Sequence, residues 1–134
     1  MNKQKELAVK VMELANAFTG WNFQMEQEDN FYLVGTTLSN QKGQEMTVYY
    51  LIGENWAELQ VISTNNEYNL KFLKKKINEI ALNYPVYAMG VGEDSISIKS
   101  PMLLDVLDRD MAVIIRKRMV DMMQAMTDII NHCK

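Results

Sequence analysis

The chain has 134 residues, of which 48% are apolar and 23% are charged, and its formal net charge is −3 at pH 7. This balance predicts a folded globular chain, here a single domain over residues 1–134, and excludes an intrinsically disordered one. The negative charge disfavours a nucleic-acid partner, because such affinity depends on neutralising phosphates, and no apolar run reaches the ~20 residues that span a membrane.

A cytoplasmic location is expected from two features of the chain. The lone cysteine, Cys133, cannot form an internal disulfide, which fits a reducing compartment. The N-terminal stretch is amphipathic rather than continuously apolar, so it does not have the pattern of a signal peptide.

The N-terminal half predicts one helix followed by four strands. Helical spacing predicts an amphipathic helix that ends at Gly20 and turns one stripe toward the core, namely Leu7, Val11, Leu14 and Phe18. Four strand-like segments follow, WNFQME, FYLVGTTL, EMTVYYLI and WAELQVIS. Because the connections are short turns, the strands should form an antiparallel meander.

The C-terminal half predicts a helix, a hairpin and a final helix. Thr64 and Glu67 have the spacing of a capping box at the start of the first of these helices, and Pro85 ends it. The segments VYAMGVG and SISIKS predict a hairpin around Glu93 and Asp94. Pro101 and the segment MLLD then link the hairpin to the last helix, whose start is acidic.

The predicted order is therefore α-β-β-β-β-α-β-β-α. We expect an α+β fold in which one antiparallel β-sheet carries helices packed on one face. The other face of the sheet should be partly open to water or to a partner.

The last helix has a stripe rich in methionine. Seven residues fall on one side at 100° per residue: Met111, Ile115, Met119, Met122, Met126, Ile129 and Cys133. We interpret the stripe as core, with methionine filling irregular gaps. The alternative is that part of the stripe extends beyond the sheet and holds a partner.

Four apolar residues should point away from the core and are the predicted partner or dimer contacts. Val113 and Val120 lie seven residues apart, on the side of the last helix opposite its core stripe. Tyr68 and Phe72 form an i,i+4 pair opposite the inner side of the middle helix. Exposed apolar side chains that lie together often mark an interface, although neighbouring loops could also cover them.

The residues that carry chemistry are too few for an enzyme. The one histidine, His132, is adjacent to Cys133, but neighbouring helical residues point about 100° apart and a third orienting group is missing. Asp105, Asp108 and Asp110 lack the spacing of a calcium loop, and helix capping explains them better. We therefore predict no catalytic residue, no cofactor and no metal.

Two basic clusters, KFLKKK and RKR, leave RNA binding as a minor alternative. Under this hypothesis the lysines would contact the RNA backbone while Tyr68 and Phe72 stack on RNA bases. The acidic balance of the whole chain favours a solvated helix surface instead.

The element order, carried by the residues from WNFQME to VIS and from NLKFL to PMLL, resembles the YbjN family and the related type III secretion chaperones. The resemblance covers nearly the whole chain and implies a bacterial, non-enzymatic and usually dimeric protein. Secretion chaperones bind an extended segment of a client protein, whereas YbjN members have poorly defined regulatory roles. Those chaperones are often given three strands in the first half, so the resemblance leaves the first or fourth strand here open.

The preferred hypothesis is a chaperone-like or regulatory protein-binding domain that engages a protein or peptide, and the resemblance implies that it acts as a homodimer. The alternative is a small-molecule-binding domain that holds an apolar molecule on the open sheet face, among Tyr32, Tyr49 or Trp56.

Overall fold

The computed structural model describes residues 3–39, 45–64 and 69–132, and it confirms the α+β fold. The elements are α1 (Lys3–Thr19), β1 (Gln24–Gln27), β2 (Tyr32–Ser39), β3 (Glu45–Ile52), β4 (Trp56–Thr64), α2 (Leu70–Ala81), β5 (Ala88–Val91), β6 (Ser95–Leu103), α3 (Leu104–Arg109) and α4 (Met111–His132). The predicted order is confirmed, with α3 as an addition. In these ranges, no helix has both the length and the apolar character needed to cross a bilayer.

The six strands form one antiparallel sheet in the order β1-β2-β3-β4-β6-β5. The first four strands are the predicted meander, and β6 pairs with β4 from Trp56↔Leu103 to Thr64↔Ser95. The later strand β6 therefore lies between β4 and β5 and joins the two halves of the chain.

The core lies between one face of the sheet and the helices. Val34, Tyr50 and Leu59 are neighbours on adjacent strands, and all three side chains are fully buried. Helix α1 packs over β1 to β3, α4 packs against β6, and α2 packs against β5.

The methionine stripe of α4 closes the core, as the preferred interpretation predicted. The buried residues of the stripe are Met111, Ile115, Met119, Met122, Met126 and Ile129. Cys133, the last predicted member, lies outside the described residues. These methionines are therefore packing residues rather than a surface for partners.

One residue of the predicted inner stripe of α1 is on the outside. Leu7 and Val11 are buried, but Phe18 is 40% exposed, so its prediction as a core residue is wrong. Burial follows a side of the helix that includes Ala8 and Ala15, whose small side chains allow a close approach to the sheet. Phe18, in the last turn of α1, does not lie on this buried side of the helix.

The predicted capping box is also wrong. Thr64 is the last residue of β4, and Glu67 lies outside the described residues. The N-cap of α2 is Asn69, whose side-chain oxygen accepts a hydrogen bond from the backbone N–H of Phe72 at 3.2 Å.

The link into the last helix differs from the prediction. Strand β6 continues through Pro101 to Leu103. Proline has no N–H to donate to a neighbouring strand, and it is tolerated here because β5 pairs only as far as Lys99 and leaves the rest of β6 at the sheet edge. The helical segment then divides at Asp110 into α3 and α4.

Candidate functional site

Val113 and Val120 lie on the solvent side of α4, as predicted. Their side chains are 67% and 53% exposed, and two helical turns, about 10.5 Å along the axis, separate them. The middle position of α4 between α1 and α2 turns this side of the helix directly outward.

Phe18 extends this apolar surface onto α1. The Arg116 guanidinium lies 5.5 Å from the centre of the Phe18 ring, which is a cation–π distance. Arg116 is three residues after Val113 and four before Val120, so all three are neighbours on the helix surface. We call Phe18, Val113, Arg116, Lys117 and Val120 the α4 outer surface.

The other side of α4 is tied to the sheet by polar contacts. Arg118 donates to the Ser100 hydroxyl on β6, and its guanidinium lies 5.7 Å from the centre of the Tyr87 ring. The Tyr87 hydroxyl donates to Asp121 at 3.1 Å. Burial, together with this hydrogen bond, raises the pKa of Tyr87 to about 12, although Arg118 acts in the opposite direction.

Asp128 has a similar arrangement near the end of α4. It accepts a hydrogen bond from the Tyr84 hydroxyl, and this bond is the main reason that the pKa of Tyr84 is raised to about 12. Both acidic residues of α4, Asp121 and Asp128, therefore accept hydrogen bonds from tyrosines that follow α2.

The other two predicted contacts belong to the α2 side of the molecule. Phe72 is 44% exposed on α2, with the exposed Lys71 and Lys75 on either side of it in the sequence. Tyr68 lies outside the described residues. The structure thus places the predicted contacts on two helices, with Val113 and Val120 together on α4 and Phe72 on α2.

An exposed apolar pair that the sequence prediction did not assign to a partner lies on the open sheet face. Trp56 of β4 and Leu103 of β6 are directly opposed across the two strands, and both are exposed. The exposure of Trp56 could have been predicted from the alternation of β4, because alternation places Trp56 on the same side as Glu58, away from the buried Leu59.

Only two of the three residues predicted for the small-molecule site lie on the open sheet face. Tyr49 and Trp56 lie on this face, but Tyr32 is buried on the helix-facing side, opposite Ile52, so its prediction as an open-face residue is wrong. An open groove of about 480 Å³ runs past Tyr49 and Leu33. Its floor includes Gly35, where an added Cβ would lie 2.8 Å from the Tyr49 Cβ.

Within the described residues, no group of three or more His, Cys, Asp or Glu side chains is placed to hold a metal ion. Asp108 forms an ion pair with Lys3 at 3.4 Å, and Asp105 lies in the first turn of α3.

No family model matches this chain, and comparisons with curated proteins and with solved structures found no match either.

Proposed function

We propose that this chain is a non-enzymatic protein-binding domain, chaperone-like or regulatory, that acts in the cytoplasm as a homodimer and engages a partner protein or peptide. The observation that carries the proposal is the α4 outer surface, where Val113, Val120 and Phe18 are all exposed. Burial of side chains of this kind contributes roughly 1.5–3 kcal/mol each when it is complete.

Two apolar surfaces on opposite sides of the sheet support the combination of self-association with partner binding. The α4 outer surface lies on the helix side, whereas Trp56 and Leu103 lie on the open face. A second copy can therefore occupy one surface while a partner occupies the other. The resemblance to the YbjN family and the type III secretion chaperones stays part of this proposal and favours a protein client.

Light scattering after size-exclusion chromatography tests the homodimer. We expect the natural chain to have twice the mass of one chain, and we expect Leu103→Asp, on the open sheet face, to give a monomer. Gln124→Asp, which adds the same charge at an exposed position of α4, is the control and should not change the mass. A natural chain that is monomeric at all concentrations would refute the homodimer.

Affinity capture from the native cell, with mass spectrometry, tests partner binding. A specific partner should be retained by the natural chain and by Asn78→Asp, which adds an acid at an exposed position of α2, and lost with the double variant Val113→Asp/Val120→Asp. Equal retention by all three proteins would contradict the assignment of the α4 outer surface.

The groove on the open sheet face supports a second candidate function, the binding of a small apolar molecule. Its volume of about 480 Å³ is within the usual range for ligand sites. A ligand screen by NMR should then shift the signals of Leu33 and Thr47, and Tyr49→Ala should abolish these shifts. Hits that do not perturb this face would exclude the candidate.

A further inference from the structure

The charged residues of α4 are divided between its two sides. The exposed residues of the helix, within the described part of the chain, are Ala112, Val113, Arg116, Lys117, Val120, Gln124, Thr127 and Asn131. None of them is acidic. The two acids of α4, Asp121 and Asp128, are half-buried and accept tyrosine hydroxyls instead. The α4 outer surface therefore offers only cationic, apolar and neutral side chains.

The same division holds across the whole fold. Helices α1 to α4, together with Asp110 between α3 and α4, carry eleven basic and eight acidic residues. In residues 20–39, 45–64 and 82–103, which form the strands and their turns, eight residues are acidic and one, Lys99, is basic. The net charge of −3 thus conceals a positive helix layer and a negative sheet side, and the helix layer should attract acidic partners.

This distribution disfavours a second copy of the chain as the occupant of the α4 outer surface. In a symmetric dimer the same patch is used by both subunits, so Arg116 and Lys117 of both copies would lie in one interface. Like charges brought together in an interface oppose association.

We propose that the α4 outer surface binds an acidic amphipathic segment of another protein, a refinement that rests on the proposed protein-binding function. Val113 and Val120, two turns apart, match a partner helix that has apolar residues at the same spacing. The Phe18 ring holds the Arg116 guanidinium in place, and a guanidinium binds a carboxylate through two parallel hydrogen bonds.

A protein segment fits this surface better than an anionic membrane does. Helices that lie in a membrane surface bury a broad apolar side rich in Trp, Phe and Leu. Here the large exposed apolar side chains of α4, within its described residues, are two valines, and the Phe18 ring beside them lies under the Arg116 guanidinium. This narrow ridge is suited to the groove between the side chains of a second helix.

The probes are three synthetic helical peptides that share one leucine face and carry Glu, Gln or Lys at all polar positions. Binding to the full chain is measured by fluorescence anisotropy. We expect the Glu peptide to bind at least about tenfold more tightly than the Gln peptide, a difference of about 1.4 kcal/mol, and the Lys peptide not to bind. Salt should weaken binding of the Glu peptide, since these charges are exposed.

Charge reversal supplies the sharper test. Arg116→Glu/Lys117→Glu should lose the Glu peptide and gain the Lys peptide. Lys74→Glu/Lys75→Glu, which makes the same charge change at exposed positions of α2, is the matched control and should lower the affinity for the Glu peptide less than threefold. Circular dichroism establishes that each variant is folded.

Several results would overturn the inference. Equal affinities for the Glu and Gln peptides would do so, and so would equal losses in the two charge-reversal variants. Stronger binding to phosphatidylserine vesicles than to the Glu peptide would show that the surface prefers a membrane. If Val113→Ser/Val120→Ser abolishes binding of all peptides while charge reversal has no effect, the protein-binding function survives and only the acidic partner is refuted.

Discussion

The indole of Trp56 lies directly over Gly53, at the turn between β3 and β4. A Cβ on Gly53 would lie 2.3 Å from the Trp56 Cε2, so no side chain fits while the indole keeps this position. The turn is tight, with the Gly53 N–H donating to the Trp56 carbonyl oxygen at 2.8 Å. Because Gly53 has no side chain, Trp56 of the exposed Trp56–Leu103 pair can pack against the turn.

Gly53→Ala should therefore displace the indole into solvent. In a Trp21→Phe background, in which Trp56 is the sole fluorophore of its kind, the emission maximum should shift to the red. The free energy of unfolding should fall by about 1 kcal/mol, because the indole is already partly exposed and loses only part of its burial. Gly92→Ala is the control, since its Cβ would meet the flexible Ser95 hydroxyl at 3.1 Å and the Ser95 carbonyl oxygen at an ordinary contact distance of 3.7 Å. An unchanged spectrum would contradict the close packing.

Tyr50→Phe should stabilise the protein. The Tyr50 ring is fully buried between the sheet and the helices, and its hydroxyl has no hydrogen-bond partner among the residues that the structure describes. Removing an unpaired buried hydroxyl recovers its desolvation cost, about 1–3 kcal/mol. Urea denaturation followed by circular dichroism measures the change.

Tyr87→Phe provides the opposite case, because it removes a hydroxyl that is bonded to Asp121. This variant should lose about 1 kcal/mol. A Tyr50→Phe variant that is less stable than the natural chain would show that the hydroxyl does have a partner.

Asn16 should be a critical residue for the junction of α1 with the sheet. Its side-chain amide donates to the Phe23 carbonyl oxygen at 3.1 Å, and its side-chain oxygen accepts from the Phe23 backbone N–H. Asn16→Ala leaves both backbone groups of a buried residue unpaired and should cost about 2–4 kcal/mol. Asn131→Ala, an exposed position on α4, is the control and should change the stability by less than about 0.5 kcal/mol.

Alkaline pH should destabilise the fold through Tyr84 and Tyr87. Both have a pKa of about 12, raised from 10.0 mainly by the hydrogen bond to Asp128 for Tyr84 and by burial for Tyr87. Between about pH 10 and pH 12 the unfolded chain loses these two protons before the folded chain does. The free energy of unfolding should therefore be insensitive to these groups below pH 10 and fall as the pH rises through this window.

Denaturation curves recorded from pH 8 to pH 11.5 measure this dependence. The double variant Tyr84→Phe/Tyr87→Phe should show a smaller decrease above pH 10 than the natural chain. Equal slopes would mean that neither hydroxyl is held in its protonated form by burial or by its aspartate.

The outward direction of Val113 and Val120 could be predicted because it depends only on helix geometry. Seven residues return to nearly the same side of a helix, and that side lies opposite the methionine stripe. Phe18 was mispredicted by the same reasoning. It lies in the last turn of α1, where the position of α4 rather than the periodicity decides what is covered.

The errors at Thr64 and Tyr32 have other physical causes. Threonine suits both a strand and an N-cap, and pairing with Ser95 keeps Thr64 in β4. Alternation divides β2 into two sides, but only the pairing of Tyr32 with Ile52 shows which side meets the helices. Asparagine at position 69 suits an N-cap, but the sequence could not show that Asn69 rather than Thr64 caps α2, because that depends on where β4 ends.

The central position of β6 has a consequence for synthesis on the ribosome. The meander of β1 to β4 comes from continuous chain, but the outer edge of β4 finds its partner only when residues 95–103 have left the exit tunnel. Until then a nascent chain presents the unpaired backbone of β4, which includes the fully buried Leu59 and Val61 of the finished sheet. Folding of this protein is thus completed late, and translation pauses after β4 has emerged but before residues 95–103 have emerged would prolong the stage most prone to aggregation.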